Sequence, residues 1–196
     1  MSLKVDLTNE VAEIFKSRWS KRDGQVVPES DDIKLGNDAV LVKGTVLYAD
    51  LDESTNLVDN YKSHFAAEIY KAYLHCAAKI INTEGGVIAS YDGDRIMAVF
   101  IGNSKNSDAA RTALKINYAV KNIINPAIQA QYPKTSFSIE QVVGIDTSSL
   151  FVARTGIRGS NDLVWVGRAA NYAAKLSSRS GAPAQITADV YNCLKD

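Results

Sequence analysis

The order of strand-like and helix-like segments predicts an α/β (α+β) domain, a ferredoxin-like βαββαβ sandwich with an N-terminal helix. Three observations support this prediction. A continuous β-prone run, GTVLYADL, occupies residues 44–51. Apolar residues then recur at helical spacing over residues 55–83. Two further apolar runs enclose the sequence Asp92-Gly93-Asp94 and predict a β-hairpin.

The hairpin has the clearest local pattern, because an Asp-Gly pair readily adopts the positive φ angles of a tight turn. Its two strands are expected at 87–91 and 95–101. The strand that precedes the long helix is apolar throughout, which is typical of a strand covered on both faces. The helix itself is expected to end at Gly85-Gly86.

The second half of the chain continues the alternation of helix and strand. Its helix is expected to begin near Ser107 and Asp108, which suit a helix cap, and to stop close to Pro126. The remaining elements are strands at 136–146, 151–156 and 162–167, a helix at 168–179 and a short strand–helix tail, QITADVYNCL.

The N-terminal part differs in composition from the rest. Residues 7–19 form an amphipathic helical pattern, and a segment rich in Gly, Pro and Asp follows it. We therefore expect residues 1–41 to be a helix and a connecting segment that pack on the core. Residues 42–196 are expected to form the main domain.

Composition excludes several classes of partner. The 22 basic and 22 acidic residues give a formal net charge of zero, so no long-range field attracts nucleic acid or an anionic membrane. No apolar run reaches the roughly 18 residues that span a bilayer, and the N-terminus lacks the apolar region of a signal peptide. We expect a cytoplasmic protein. Its two cysteines form no metal or redox motif.

Asp50 and Asp94 are the candidate metal ligands. Asp50 ends the first strand of the predicted sandwich and Asp94 lies in the hairpin turn, which this topology places side by side. Neighbouring carboxylates repel each other unless a divalent cation lies between them, and oxygen ligands favour Mg²⁺ or Mn²⁺. The backbone carbonyl of Leu51 is a natural further ligand. An ordinary strand end and an ordinary Asp-Gly turn are the alternative interpretation.

Three motifs resemble those of the class III nucleotidyl cyclases. VLYADLDEST at 46–55 is similar to the family's first-metal motif, and YDGDRIMAVF at 91–100 to its second-metal hairpin. VGRAANYAAKL at 166–176 is similar to the motif that supplies transition-state residues. The motifs follow in the family's order and spacing over about residues 42–190.

The resemblance implies a role for each matching residue. Asp50 and Asp94 would hold two Mn²⁺ or Mg²⁺ ions, and the loop with Ser54 and Thr55 would offer backbone N–H groups to a triphosphate. Asn171 would be the catalytic residue that orients the ribose. The family's transition-state arginine falls on Lys175, a departure, because lysine lacks the planar fork of arginine.

The positions that select the base depart further from the purine cyclases. They correspond to Ser90 and Val164, and neither side chain can provide the charged or amide readout of a purine edge. Tyr48 faces the same side as Asp50 and would either flank a base or belong to the core. The whole pattern looks most like the pyrimidine cyclases of bacterial Pycsar anti-phage defence.

That resemblance implies an enzyme that converts UTP, favoured over CTP, to a 3′,5′-cyclic monophosphate that acts on a separate effector. It also implies a symmetric homodimer whose two active sites are shared between subunits. The alternatives are a cytidylate or adenylate cyclase and a catalytically silent nucleotide-binding regulatory module. A palm-type polymerase or dinucleotide cyclase is disfavoured, because a GGDEF-like hairpin and a basic surface are both absent.

Overall fold

The computed structural model describes residues 2–194, which contain a seven-stranded sheet and seven α-helices. The strands are β1 (Ser20–Asp23), β2 (Asp38–Leu51), β3 (Val87–Asp92), β4 (Arg95–Phe100), β5 (Gln141–Ile157), β6 (Ser160–Val166) and β7 (Ala184–Ile186). The helices are α1 (Leu3–Lys16), α2 (Ser54–Asn60), α3 (Ser63–Thr83), α4 (Lys105–Ala119), α5 (Asn125–Gln131), α6 (Arg168–Ser177) and α7 (Ala188–Tyr191).

The strand order confirms the predicted ferredoxin-like topology. The main path of the sheet runs β3-β4-β2-β5-β6, with β1 parallel to β2 and β7 parallel to β5. Strand β2 is central and pairs antiparallel with both β4 and β5. Its register places Ala49 opposite Ile96, so the end of β2 meets the start of β4 beside the hairpin turn.

Apolar side chains cover both faces of the sheet, because alternate residues of a strand face opposite sides. Leu47 and Ile96 belong to the cluster that also contains residues of α3 and α4, such as Tyr73. Val46 and Val99 belong to the opposite cluster, which includes residues of α6. The central strands are therefore buried on both sides, as the apolar run at 44–51 predicts.

The prediction of one helix over 55–83 is wrong, because the helix breaks between α2 and α3. Tyr61 and Lys62 adopt extended backbone conformations at the break. The ring of Tyr61 stacks on Phe65 at 5.3 Å and meets Phe137 at 4.8 Å between centroids. Contacts among these aromatic rings thus accompany a break that helical periodicity did not reveal.

The expected helix stop near Pro126 is also wrong. A turn of π-helix, Val120–Ile124, follows α4 and leads directly into α5, with Pro126 in the first turn. Proline lacks a backbone N–H and is tolerated in a first turn, where that donor has no partner inside the helix. The wider turn therefore carries the helix past the proline.

Two further predictions of element bounds are wrong. The strands expected at 136–146 and 151–156 form one long strand, β5, because its pairing with β2 continues through Ser148 and Ser149. The segment expected to be a plain connection contains β1, whose residues Ser20–Asp23 pair in parallel with β2. Across residues 2–194, no helix is both long and apolar enough to cross a bilayer.

The N-terminal helix α1 is largely exposed in the described structure. Every residue in the interior of α1 is at least partly exposed, and Phe15 is 86% exposed. The helix is joined to the body by the Asn37 side chain, which donates hydrogen bonds to the carbonyls of Ile14 and Ser17. Trp19, expected within the helix, lies beyond it and packs edge-to-face on Phe151.

Gly144 allows α6 to approach the sheet. A Cβ at this position would lie 2.1 Å from the carbonyl oxygen of Ala173 and 2.5 Å from the backbone nitrogen of Ser177. These are backbone atoms, which cannot rotate away. We expect Gly144→Ala to lower the free energy of unfolding by about 3 kcal/mol or more, measured by urea denaturation.

Gly44→Ala is the matched control for this prediction. The nearest atoms to a Cβ there would be side-chain methyl groups of Leu150 and Val99, both at 3.1 Å, which can shift, and the Phe100 carbonyl oxygen lies at an ordinary contact distance of 3.5 Å. Its effect should be clearly smaller than that of Gly144→Ala. Equal stabilities of the two variants would contradict the close approach of α6.

Candidate active site

Asp50 lies at the end of the central strand and is paired with an arginine. The Nε and Nη2 atoms of Arg95 lie 3.0 and 2.8 Å from Oδ2 of Asp50. The Asp50 side chain is only 13% exposed. Burial raises the pKa of the Asp50 carboxyl, the bonds from Arg95 oppose this rise, and the nearby charge of Asp94 adds to it.

The structure therefore brings Asp50 and Asp94 into one neighbourhood, as the sequence predicts. Gly93 has a φ of 61°, which the hairpin turn between β3 and β4 requires. Oδ2 of Asp94 is buried and has no hydrogen-bond partner. A buried carboxylate oxygen without a donor is costly, so folding alone does not explain this arrangement.

The donor set fits a hard divalent cation that substrate phosphates would help to coordinate. Within residues 2–194, no group of three or more His, Cys, Asp or Glu side chains could hold a metal ion. Two carboxylates together with a backbone carbonyl and phosphate oxygens form the type of site that Mg²⁺ uses. Leu51 lies at the end of β2, with its side chain buried in the core.

The loop after Leu51 borders a cleft of about 440 Å³. Ser54 lies in its wall, together with residues of the segment that precedes β5, Ser136 to Glu140. Glu53 has a φ of 53°, the one non-glycine residue with positive φ in the described part of the chain. Such a conformation is uncommon away from glycine and is often found at binding sites.

Helix α6 presents the two predicted catalytic side chains to solvent. Asn171 and Lys175 are both exposed, whereas Ala173 on the opposite side is buried against the sheet. The ring of Tyr172 lies between two cations, with Arg168 Cζ at 5.8 Å and Lys175 Nζ at 5.6 Å from its centroid. Cation–π attraction thus restrains the ammonium group of Lys175.

Arg168 anchors the first turn of α6. Its guanidinium bonds to the carboxylate of Asp146 at 3.1 Å, to the carbonyl oxygen of Thr147 at 3.1 Å, and to Asp189. Asp146 is fully buried and also accepts a hydrogen bond of 2.5 Å from Thr187. The helix that carries Asn171 is therefore fixed to β5 and α7.

The positions expected to contact a base lie on three different strands. Ser90 is half-buried on β3, opposite Met97, and Val164 is 39% exposed on β6, opposite Ala153. These two strands form the two ends of the main strand order. Tyr48 is half-buried on β2 next to the second apolar cluster, with its ring on the Asp50 side of the sheet.

One chain does not bring all the predicted residues together. Among residues 2–194, no hydrogen bond or ion pair joins Asn171 or Lys175 to Asp50 or Asp94. The aspartates lie where β2 meets the hairpin, whereas Asn171 and Lys175 are on the exposed side of α6, the helix that packs on β5 and β2.

Sequence reasoning missed four side chains that shape the site. They are Arg95 beside Asp50, Tyr73 below the aspartates, Arg168 at the start of α6, and Tyr172 beside Lys175. Arg95 could have been found, because the hairpin register places it opposite Asp50. The other three depend on packing between distant segments, or on rotamers, which the local sequence does not specify.

Comparisons with known proteins agree with this geometry, although no protein-family model matches the chain. A protein named uridylate cyclase from Xanthomonas perforans is 55% identical over 197 residues, covering 100% of this chain and 85% of that protein. A uridylate cyclase from Burkholderia cepacia is 56% identical, covering 100% and 86%. The crystal structure of the adenylyl cyclase CyaB from P. aeruginosa matches with a TM-score of 0.72 at 24% identity, over 79% of this chain and 81% of that one.

The strand order and the similarity to solved cyclases confirm the predicted fold. The high identity to proteins named uridylate cyclase over the whole chain confirms the predicted enzyme class, a class III nucleotidyl cyclase. Within that class, the chain belongs to the family of the uridylate cyclases.

The anchoring of α6 gives a stability prediction. Arg168→Ala would leave the buried Asp146 carboxylate with Thr187 as its remaining described hydrogen-bond donor. We expect the melting temperature to fall by on the order of 5 °C. Differential scanning calorimetry would measure it.

Arg158→Ala, at the exposed turn after β5, is the matched control and should melt within about 1 °C of wild type. If both arginine variants melted together, the bonds of Arg168 to Asp146 would not stabilise the fold.

Proposed function

We propose that this nucleotidyl cyclase converts UTP to 3′,5′-cyclic UMP and pyrophosphate in a metal-dependent reaction. The observation that carries the proposal is the 55% identity, over the whole chain, to a protein named uridylate cyclase. The aspartate pair supports the metal dependence, because the charge of Asp94 acts on the largely buried Asp50 carboxylate, and two neighbouring carboxylates suit a divalent cation.

Asp50 and Asp94 would hold two Mn²⁺ or Mg²⁺ ions, with the carbonyl of Leu51 as a further ligand. When bound, such ions make the ribose 3′-hydroxyl more acidic and neutralise charge on the triphosphate. In the metal-free state, Arg95 partly neutralises Asp50 through its 2.8 Å contact. Arg95 would therefore yield part of this contact when the site is loaded.

The remaining residues would bind and orient the nucleotide. Ser54 and Leu51 border the cleft that follows the end of β2, and the backbone N–H groups of Ser54 and Thr55 would donate to the triphosphate. Asn171 would hydrogen-bond the ribose and so aim its 3′-hydroxyl at the α-phosphorus. Lys175 would balance the charge that develops on the α-phosphate, because positioning and charge neutralisation dominate catalysis of phosphoryl transfer.

The residues at the positions expected to contact the base favour a pyrimidine. Ser90 and Val164 lack the charged groups that a purine edge would need, and Tyr48 offers an aromatic face on the Asp50 side of the sheet. We propose that the product acts on a separate effector in anti-phage defence, within the cytoplasm.

Assembly as a homodimer would complete each site. The separation of the α6 pair from the aspartates in one chain supports this proposal, because a two-fold axis can bring the α6 of one subunit to the aspartates of the other. Each dimer would then carry two equivalent sites. Each site would take Asp50 and Asp94 from one subunit and Asn171 and Lys175 from its partner.

The nucleotide specificity can be tested directly. We expect the chain with Mn²⁺ to form cyclic UMP when UTP, CTP, ATP and GTP are supplied separately and the products are separated by chromatography. Asp94→Ala should lower the rate on the order of 100-fold or more. Asp92→Ala, a carboxylate of the same hairpin outside the metal pair, should retain much more activity.

Other outcomes would favour the alternatives. Cyclic AMP or cyclic CMP as the main product would identify an adenylate or cytidylate cyclase. Nucleotide binding without pyrophosphate release from any of the four substrates would indicate a silent regulatory module.

A mixing experiment tests the shared site. Asp50→Ala and Asn171→Ala should each be inactive alone, but random mixing should restore about a quarter of wild-type activity, because half of the dimers would be mixed and each would hold one intact site. Mixing Asp50→Ala with Asp94→Ala should restore nothing, since both changes damage the same half. If the first mixture stayed as inactive as the second, the shared-site model would be wrong.

A further inference from the structure

Tyr73 carries a buried hydroxyl that packing alone does not explain. The residue lies on α3, is 0% exposed and belongs to the apolar cluster that also contains Leu47 and Ile96. Its hydroxyl has no hydrogen-bond partner. Most buried polar groups are paired, and an unpaired buried hydroxyl costs roughly 1–3 kcal/mol, so phenylalanine would fill this position at lower cost.

A candidate acceptor lies on the same side of the sheet, because Tyr73 and Ile96 share one apolar cluster and Asp94 lies two residues before Ile96. Oδ2 of Asp94 is also buried and unpartnered, so the described site contains a donor without an acceptor and an acceptor without a donor. Burial raises the pKa of Tyr73 well above its ordinary value, and the charges of Asp50 and Asp94 raise it further. The charges of both carboxylates thus act on the Tyr73 hydroxyl, which remains a hydrogen-bond donor.

The two aspartates differ in their existing partners. Asp50 already accepts two contacts from Arg95 on one oxygen, whereas Asp94 lacks a hydrogen bond on its buried oxygen. A carboxylate that is fixed on one side presents its other oxygen to a cation in a defined direction. Tyr73, in the cluster on the Ile96 face of the sheet, is placed to provide this constraint for Asp94.

We propose that Tyr73 is a positioning residue whose hydroxyl donates a hydrogen bond to Oδ2 of Asp94 in the metal-loaded site and thereby orients that carboxylate. This inference rests on the proposed metal-dependent function. The hydrogen bond forms when the Asp94 side chain settles around the ion, which leaves its other oxygen free for coordination. The hydroxyl transfers no proton and contacts no substrate.

The test is Tyr73→Phe, which removes one oxygen and keeps the packing. We expect Mn²⁺ binding without nucleotide, measured by isothermal titration calorimetry, to weaken about 10-fold, in the range found for residues that orient metal ligands. The melting temperature without metal should stay the same or rise. The cyclisation rate should fall at limiting Mn²⁺ and recover at saturating Mn²⁺.

Tyr70→Phe, a half-buried tyrosine on the same helix, is the matched control and should bind Mn²⁺ as wild type does. Unchanged Mn²⁺ affinity in Tyr73→Phe would overturn the inference while the proposed function stands. A lower melting temperature of metal-free Tyr73→Phe would also overturn it, because the hydroxyl would then already be bonded in that state. If wild type bound no Mn²⁺, both the metal-dependent function and this inference would be wrong.

Discussion

The antiparallel register of β2 against β4 determines where each charged group of the aspartate site lies. Ala49 is opposite Ile96, so the next residue pair, Asp50 and Arg95, falls on the other face of the sheet at the strand end. The turn that opens β4 then brings Asp94 beside it. A shift by one residue would turn Asp50 to the opposite face of the sheet, into the apolar cluster that contains Leu47 and Ile96, because side chains alternate between faces. The pairing of the two central strands is therefore also the condition for a two-carboxylate site.

This arrangement is unfavourable for the metal-free protein in specific ways. Burial and the charge of Asp94 both raise the pKa of Asp50, and one Asp94 oxygen has no donor. Arg95 offsets part of this cost by its contacts with Asp50. The same contacts would compete with a cation for the carboxylate, so Arg95 would stabilise the metal-free protein and weaken the proposed metal binding. Unsatisfied polar groups at one end of an otherwise well-packed sheet are the pattern expected where function, rather than folding, selects the residues.

Sequence patterns predicted the sheet far better than the breaks in the helices. The Asp-Gly turn and the alternation along β2 depend on local chemistry, and they correctly indicated the hairpin, the strand order and the meeting of Asp50 with Asp94. The break at Tyr61 accompanies contacts with Phe137, more than 70 residues away, which local periodicity cannot reveal. The helix continues through Pro126 because of a π-turn, which hydropathy does not reveal. Helix α1 is exposed because no described surface covers it, and hydropathy does not reveal this either.

The proposed role of Lys175 in place of the family's arginine has structural support on α6. An arginine fork fixes its own orientation through two parallel hydrogen bonds, whereas an ammonium group on a flexible stem must be restrained by its surroundings. The Tyr172 ring provides a restraint at 5.6 Å from the Lys175 ammonium group. The guanidinium of Arg168 lies 5.8 Å from the centroid of the same ring and is itself held by Asp146. The exposed Lys175 ammonium group is thus restrained by the Tyr172 ring, which also contacts an arginine bonded to the buried Asp146. A lysine placed in this way can supply positive charge at a defined point, which is what neutralising an α-phosphate requires, although it cannot form the bidentate contact of arginine.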